Sequence, residues 1–407
     1  APDRPAEDSG MEEGIMARQA GILTPYPPEP LGPPKDRRGH AKDSASGLPP
    51  GTEVFSADDH ISLSEDIFFE RAPGALKERV PRIWYQDGAW TIGSGEKAFL
   101  PKEFTGVLMQ YDPLPGSSTG ALDARLAQLE ADGVTKELAF PNALLALMGY
   151  PDAEIREVCF RIYNEYLAEL QERSGGRFYG VGLINWWDAA GARRTLGEMK
   201  TLGITTFWLP LKPGNGADGK PIDYNSPAMA PMWEAVEEVG LPVSHHIGEA
   251  PLSAPCASNA YAVSMVHNAA PFREMFARYV CGGLLDRHKG LRVGWFEGGI
   301  NWVPAAIQDA QHMYASFAHM LDVEVEHDAQ YYWDNNMYSS FMLDPLGLDL
   351  IDRIGADRVM WSSDFPHNES TFGYSERSLA AVVDAVGPEK ATTIVSRNVL
   401  DFLGLPS

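Results

Sequence analysis

Asp58, His60, His246 and Asp364 are the side chains in this sequence best suited to holding a cation, and each sits at or just past the end of an apolar run. The run 358–363 stops at two serines, and Asp364 follows, with Pro366 and His367 close behind. Proline cannot donate to a sheet ladder, so a strand there must stop near Pro366. A second run, Val54–Asp58, leads into Asp59 and His60. Asp58 and His60 are two residues apart and share one face of an extended segment. A third run, 241–246, ends in His245 and His246. A lone histidine at a strand end is more often structural than functional. Two imidazoles and two carboxylates together form a borderline-hard donor set that suits Zn²⁺, Mn²⁺ or Fe²⁺.

Glu297 ends another apolar run, 291–297, and is a candidate general acid/base, ligand, or cap for the helix that follows. His367, three residues past Asp364, is a candidate orienter or substrate contact. Alternation along a strand turns His245 away from the barrel axis if His246 faces inward, which leaves His245 as a reserve ligand. Lys212 is a candidate contact for a substrate carboxylate.

These side chains need a scaffold that brings distant strand ends together. Apolar runs ending at Asp58, Phe140, Ile184, Leu209, His246, Glu297, Phe341 and Ser363 alternate with helical stretches. Eight strands in this rhythm predict an α/β chain folded as a (β/α)₈ TIM barrel, whose chemistry sits at the carboxyl ends of its strands. The first and eighth strands adjoin in a closed barrel, and the fifth faces them across the mouth. Expected helices include 65–79, 262–287 and 302–320. Asp87-Gly88 between aromatic and β-branched runs predicts an inserted β-hairpin, expected as a flap over the mouth with Trp84, Tyr85 and Trp90 as pocket walls. Residues 100–119 read as loop. Residues 1–52 are polar and Pro-rich and read as an extended arm, anchored at Ile22–Tyr26, ahead of a barrel domain over 53–407. Asn398 is placed to tie the last helix to a loop.

The balance of 33 Lys+Arg against 56 Asp+Glu gives a net charge of −23. That charge argues against nucleic acid and an anionic membrane as partners. No apolar run reaches the ~20 residues of a membrane span. Cys159, Cys256 and Cys281 are odd in number and far apart, which points to a reducing, cytoplasmic setting. Gly298-Gly299 is too little for a nucleotide loop, and no G-x-S-x-G nucleophile elbow is present.

The segments Ser56–His60, Leu241–Gly248, Glu297–Pro304 and Trp361–His367 together resemble the amidohydrolase-related group of the amidohydrolase superfamily, over about 53–404. That group includes aminocarboxymuconate-semialdehyde and resorcylate-type decarboxylases. The resemblance implies a distorted barrel with one divalent metal held by Asp58, His60, His246 and Asp364. Two positions depart from the pattern. Many relatives have an acidic residue where Leu63 stands, and the decarboxylases have a histidine where Glu297 stands. The expected function is metal-dependent hydrolysis or decarboxylation of a small organic acid or amide, with Glu297 moving a proton to or from a metal-bound water or substrate. Two alternatives remain open: a dinuclear Fe or Fe/Mn oxygenase with a second ion, and a supporting subunit of a related barrel. Homo- or hetero-oligomer contact through the arm is expected.

Overall fold

The computed structural model describes residues 46–406 except 62, 64–65, 87–88, 95–96, 99–118, 143–144, 149, 151, 217, 250–259 and 368. The arm's anchor, the loop at 100–119 and Cys256 therefore lie outside the described residues, wholly or nearly so. In chain order the strands are β1 (Phe55–Ile61), β2 (Arg82–Gln86), β3 (Ala89–Ser94), β4 (Lys97–Ala98), β5 (Lys136–Pro141), β6 (Phe178–Leu183), β7 (Thr206–Trp208), β8 (Val243–His246), β9 (Val293–Phe296), β10 (Met337–Phe341) and β11 (Val359–Trp361).

Eight of them form one parallel sheet in the order β1-β5-β6-β7-β8-β9-β10-β11. Just past β11 the chain returns to β1: the Asp364 N–H donates to the Asp58 carbonyl at 2.8 Å, and the His60 N–H to the Phe365 carbonyl at 2.6 Å. The sheet is thus a (β/α)₈ barrel, with its seam at the residues that carry the candidate chemistry. All seven residues of β1 are buried, as expected for a strand covered on both faces. The β1–β5 register shifts between Ser56 and Asp59, a bulge that re-aims the side chains on either side of it.

β2, β3 and β4 form a separate antiparallel sheet. Gln86 pairs with Ala89 across the predicted turn, whose residues Asp87 and Gly88 lie outside the described residues. The side chains of Trp84, Tyr85 and Trp90 lie outside the described residues.

The helices follow their local chemistry. Ala153–Arg173 starts at Asp152, whose side chain accepts from the Ile155 N–H, and it buries Ile155, Cys159, Tyr163, Tyr166 and Leu170 at helical spacing. The helix expected over 65–79 is short: Ile67–Arg71, then a 3₁₀ turn at Gly74–Leu76. Pro73 has no N–H to give and ends it. The stretch 262–287 divides into Ala260–His267, Ala270–Cys281 and Leu284–Arg287, interrupted at Pro271 and at the left-handed Gly283. The helix expected over 302–320 ends at Ser316, and a 3₁₀ turn, Ala318–Met320, follows it. The Asn398 amide donates to the carbonyls of Ala356 (2.8 Å) and Val359 (2.6 Å) and so fixes the closing helix against β11. Among the described residues no helix is long and apolar enough to cross a membrane.

Two buried polar links brace the seam from outside. Arg125 reaches Glu137 on β5 at 2.6 Å and lies over the Phe365 ring at 4.9 Å. The buried Asp132 accepts from the Gly373 N–H (2.8 Å) and the Ser375 hydroxyl (2.6 Å). Burial pushes its pKa up to about 7, against the pull of those hydrogen bonds. The folded state therefore holds this proton more tightly than the unfolded chain does. The contribution is fully present below about pH 4 and is lost as pH rises through about 7. Denaturant titrations of the wild type and Asp132→Asn across that window should show a pH slope steeper in the wild type, summing to about 4 kcal/mol. Equal slopes would mean that Asp132 is not buried in this way.

Candidate metal centre

The mouth of the barrel gathers side chains from four strand ends. His60 Nε2 lies 3.1 Å from Asp364 Oδ1, 3.2 Å from Glu297 Oε2 and 3.7 Å from Asp58 Oδ1. His246 Nε2 lies 3.0 Å from Glu297 Oε2 and 3.4 Å from Asp58 Oδ1. His367 Nδ1 lies 3.1 Å from Asp364 Oδ1, and its ring stacks on His60 at 3.7 Å. Two overlapping groups result: Asp58, His60, His246 and Glu297, and His60, Glu297, Asp364 and His367. Beneath them the Phe140 ring packs on His246 at 4.5 Å and the Trp208 ring at 5.2 Å, an apolar floor that strengthens every charge interaction above it.

Backbone conformation aims two of these carboxylates. Trp295 packs outward against His245 and Tyr279, and Phe296 packs against Phe140 and Phe402. The strand pleat alone would send Glu297 back to the outer side. Its φ of 65° turns the carboxyl into the mouth instead, and Asp364 does the same with φ 59°. These are the only non-glycine residues with positive φ among the described residues. Such backbone costs about 1–3 kcal/mol per residue and persists where the surroundings impose it.

The donor set fits a cation. His246 Nδ1 donates to the Ile247 carbonyl at 2.8 Å, which leaves Nε2 as a lone pair facing two carboxylates. His367 repeats this: Nε2 donates to Asn142 Oδ1 at 2.9 Å, and Nδ1 faces Asp364. Both oxygens of Asp58, both of Asp364, His246 Nε2 and His367 Nδ1 are buried without a hydrogen-bond partner. Lone pairs turned toward lone pairs in a dry site are costly unless a positive charge lies between them. Burial pushes Asp58 up to about 6 and Asp364 well above the carboxylate range, the latter reinforced by Glu297. The spacings also agree, since neighbouring donors ~2.1 Å from one ion stand ~3.0–3.4 Å apart.

The remaining candidates lie elsewhere. His245 donates from Nδ1 to the Leu209 carbonyl (2.7 Å) and meets the Tyr279 hydroxyl at Nε2 (3.0 Å), on the helix side of β8. Burial lowers its pKa to about 3, so it is a neutral structural imidazole. Lys212 is exposed and outside both groups, and its backbone N–H donates to Glu249 at 2.8 Å. Leu63 is buried in the core. Sequence reasoning passed over Asn142, which orients His367, and Asp59, which accepts from Ser56, Ser363 and Phe365. The one signal for Asn142 was its polarity directly after β5.

The pattern of the sequence family described as Amidohydrolase matches residues 119–405. The chain belongs to this amidohydrolase family. The match begins beyond β1, so Asp58 and His60 lie outside it. Gamma-resorcylate decarboxylase of Rhodococcus jostii (strain RHA1) is 23% identical over 303 residues, 70% of this chain and 90% of that enzyme. An amidohydrolase from Mycobacterium avium subsp. paratuberculosis K-10 superposes with a TM-score of 0.69 at 18% identity, covering 88% of this chain and 99% of the other. 5-Carboxyvanillate decarboxylase from Novosphingobium aromaticivorans DSM 12444, solved with manganese and 4-hydroxy-3-methoxy-5-nitrobenzoic acid, gives 0.62 at 14% identity, covering 87% and 97%. At these identities the structural likeness establishes the shared barrel fold alone.

Proposed function

We propose that the chain is a divalent-metal-dependent carboxy-lyase acting on a small hydroxylated aromatic acid. The observation that carries the reading is the convergence of Asp58, His60, His246 and Glu297, with Asp364 beside them, in which both oxygens of Asp58 and Asp364 and the His246 Nε2 are buried without a hydrogen-bond partner. Decarboxylation is favoured over hydrolysis by the relatives, whose names describe decarboxylases of hydroxybenzoate-type acids. A bound divalent ion supplies Lewis-acid polarisation of a substrate oxygen. Asp58, His60, His246 and Asp364 hold the ion, as the strand-end pattern proposes, and Glu297 reaches the same space. Phe140 and Trp208 keep the floor apolar, which favours release of neutral carbon dioxide over retention of a carboxylate. When the carbon–carbon bond breaks, the ring carbon keeps the electron pair and takes up one proton, which Glu297 relays during turnover: burial raises its pKa, but His246 and His60 hold the resting carboxyl well below the usual range.

The test loads the full chain with Mn²⁺ and offers hydroxybenzoic acids in ¹⁸O-labelled water. Carbon dioxide release with no ¹⁸O in the aromatic product is expected. Failure on acids, together with ¹⁸O in the product of an amide or lactone, would replace this reading with hydrolysis.

A second reading rests on the second donor group. His60, Glu297, Asp364 and His367 form a further set around the orphaned His367 Nδ1, which suits a second ion. Metal analysis giving two redox-active ions per chain would favour a dinuclear oxygenase over the carboxy-lyase.

A further inference from the structure

We propose that Asp59 and Asp344 are positioning residues: each is a buried carboxylate on a neighbouring strand or the loop after it that clamps one of the two left-handed turns aiming Glu297 and Asp364. The inference rests on the metal reading above and assigns the backbone that makes the site possible. Neither carboxylate touches the donor cluster: Asp59 holds the Phe365 N–H beside Asp364, and Asp344 holds the Ile300 and Asn301 N–H groups, three and four residues past Glu297.

At β11, Asp364 is bracketed on both sides. Asp59 Oδ1 accepts from the Phe365 N–H at 2.8 Å and the Ser363 hydroxyl at 2.5 Å. Ser56 donates to the same oxygen at 2.9 Å and accepts from the Ser363 N–H at 2.8 Å. The residues before and after Asp364 are thus pinned to β1, and the φ of 59° between them is imposed from outside. Asp59 points away from the mouth because His60 and Asp58, its neighbours on the strand, point into it.

At β9 the device recurs with different parts. Asp344 Oδ2 accepts from the N–H groups of Ile300 (2.7 Å) and Asn301 (2.8 Å) and from the Asn301 amide (3.0 Å), while Oδ1 accepts from the Gly347 N–H (2.8 Å). Ser340 on β10 accepts from the Glu297 N–H at 3.0 Å. The chain between needs Gly298 and Gly299. A Cβ at Gly298 would lie 2.3 Å from the Phe272 ring, and one at Gly299 would lie 2.9 Å from Asp344 Oδ2. Gly299 therefore serves close approach to this clamp, and Gly298 close approach to Phe272.

The two clamps differ in a way that makes them testable. Only Oδ1 of Asp59 accepts, and its Oδ2 has no partner. Asparagine can keep that oxygen in place, so Asp59→Asn should preserve the clamp and Asp59→Ala should release it. Both oxygens of Asp344 accept from N–H donors, so an amide group on either side faces a donor. Asp344→Asn should therefore fail as Asp344→Ala does.

The experiment titrates Mn²⁺ alone into the metal-free full chain and its variants below their melting temperatures. Native-state exchange of the Phe365, Ile300 and Asn301 amides is followed in the same samples without metal. Asp59→Ala, Asp344→Ala and Asp344→Asn are expected to weaken Mn²⁺ binding ~10–100-fold, the scale seen when an outer partner of a ligand is lost. Asp59→Asn should restore wild-type affinity. Exchange should quicken at Phe365 for Asp59→Ala, and at Ile300 and Asn301 for the Asp344 variants. Unchanged exchange at those amides would overturn the proposal, as would Asp59→Asn behaving like Asp59→Ala. Should an alanine variant not fold, the contrast between Asp59→Asn and Asp344→Asn decides alone. A wild-type chain that binds no Mn²⁺ would sink the metal reading, and the exchange data would still judge the clamps.

Discussion

His246→Ala is expected to leave the barrel folded and to remove bound metal and activity together. His246 brings the only donor in the cluster from β8, on the far side of the mouth from the seam. Its Nδ1–H is committed to the Ile247 carbonyl, so its Nε2 is fixed as an acceptor aimed between Asp58 and Glu297. Losing a direct ligand should weaken Mn²⁺ by more than the ~10–100-fold that loss of an outer partner costs. Without metal, burial pulls the His246 pKa down but Asp58 and Glu297 push it well up, so the ring pairs with them as an imidazolium and truncation removes a favourable contact. The variant should therefore unfold without metal below the wild type without metal, and should lose the wild type's gain in stability on adding Mn²⁺. Metal content is read by elemental analysis and the gain by calorimetric melting with and without Mn²⁺. Full metal content after the change would rule out His246 as a ligand.

The barrel was legible because its strands end in abrupt changes of chemistry. Apolar runs stop at Asp58, His246 and Asp364, and a parallel barrel must bury such runs on both faces, so the pattern names the strands and their functional ends together. The hairpin was legible from Asp87-Gly88 set between aromatic and β-branched runs, and the strands on either side do pair antiparallel. Helix limits were less so. The 65–79 helix ends early at Pro73, a breaker visible in the sequence that the apolar spacing around it obscured. Glu297 shows the deeper difficulty. Alternation along β9 would turn it outward, and the φ of 65° that reverses it is set by Ser340 and Asp344, more than forty residues on. Asp59 could not be read either, since its partners Ser363 and Phe365 lie some three hundred residues away. What escapes the sequence here is backbone conformation enforced by contacts between distant loops. What it shows is which side chains stand at strand ends.

Glu297→Gln should separate ligation from proton transfer. Glutamine has the same shape, and the turn that carries residue 297 is held through its own N–H and the neighbouring loop, not through its side chain. The amide oxygen can still face the ion's position, but the amide cannot carry a proton back and forth. If Glu297 delivers the proton to carbon, kcat should fall ~10²–10⁴-fold while Mn²⁺ stoichiometry stays that of the wild type. A solvent deuterium isotope effect should grow in the variant as protonation becomes the slow step. The geometry sets a demanding contrast, because Glu297 Oε2 stands 3.0 Å from His246 and 3.2 Å from His60, close enough to be a ligand itself. Metal loss in parallel with kcat would make Glu297 a ligand and pass the proton to Asp364 or His367, which face each other at 3.1 Å on the other side of His60. The measured ratio of metal content to kcat therefore shows whether Glu297 is the group that moves the proton.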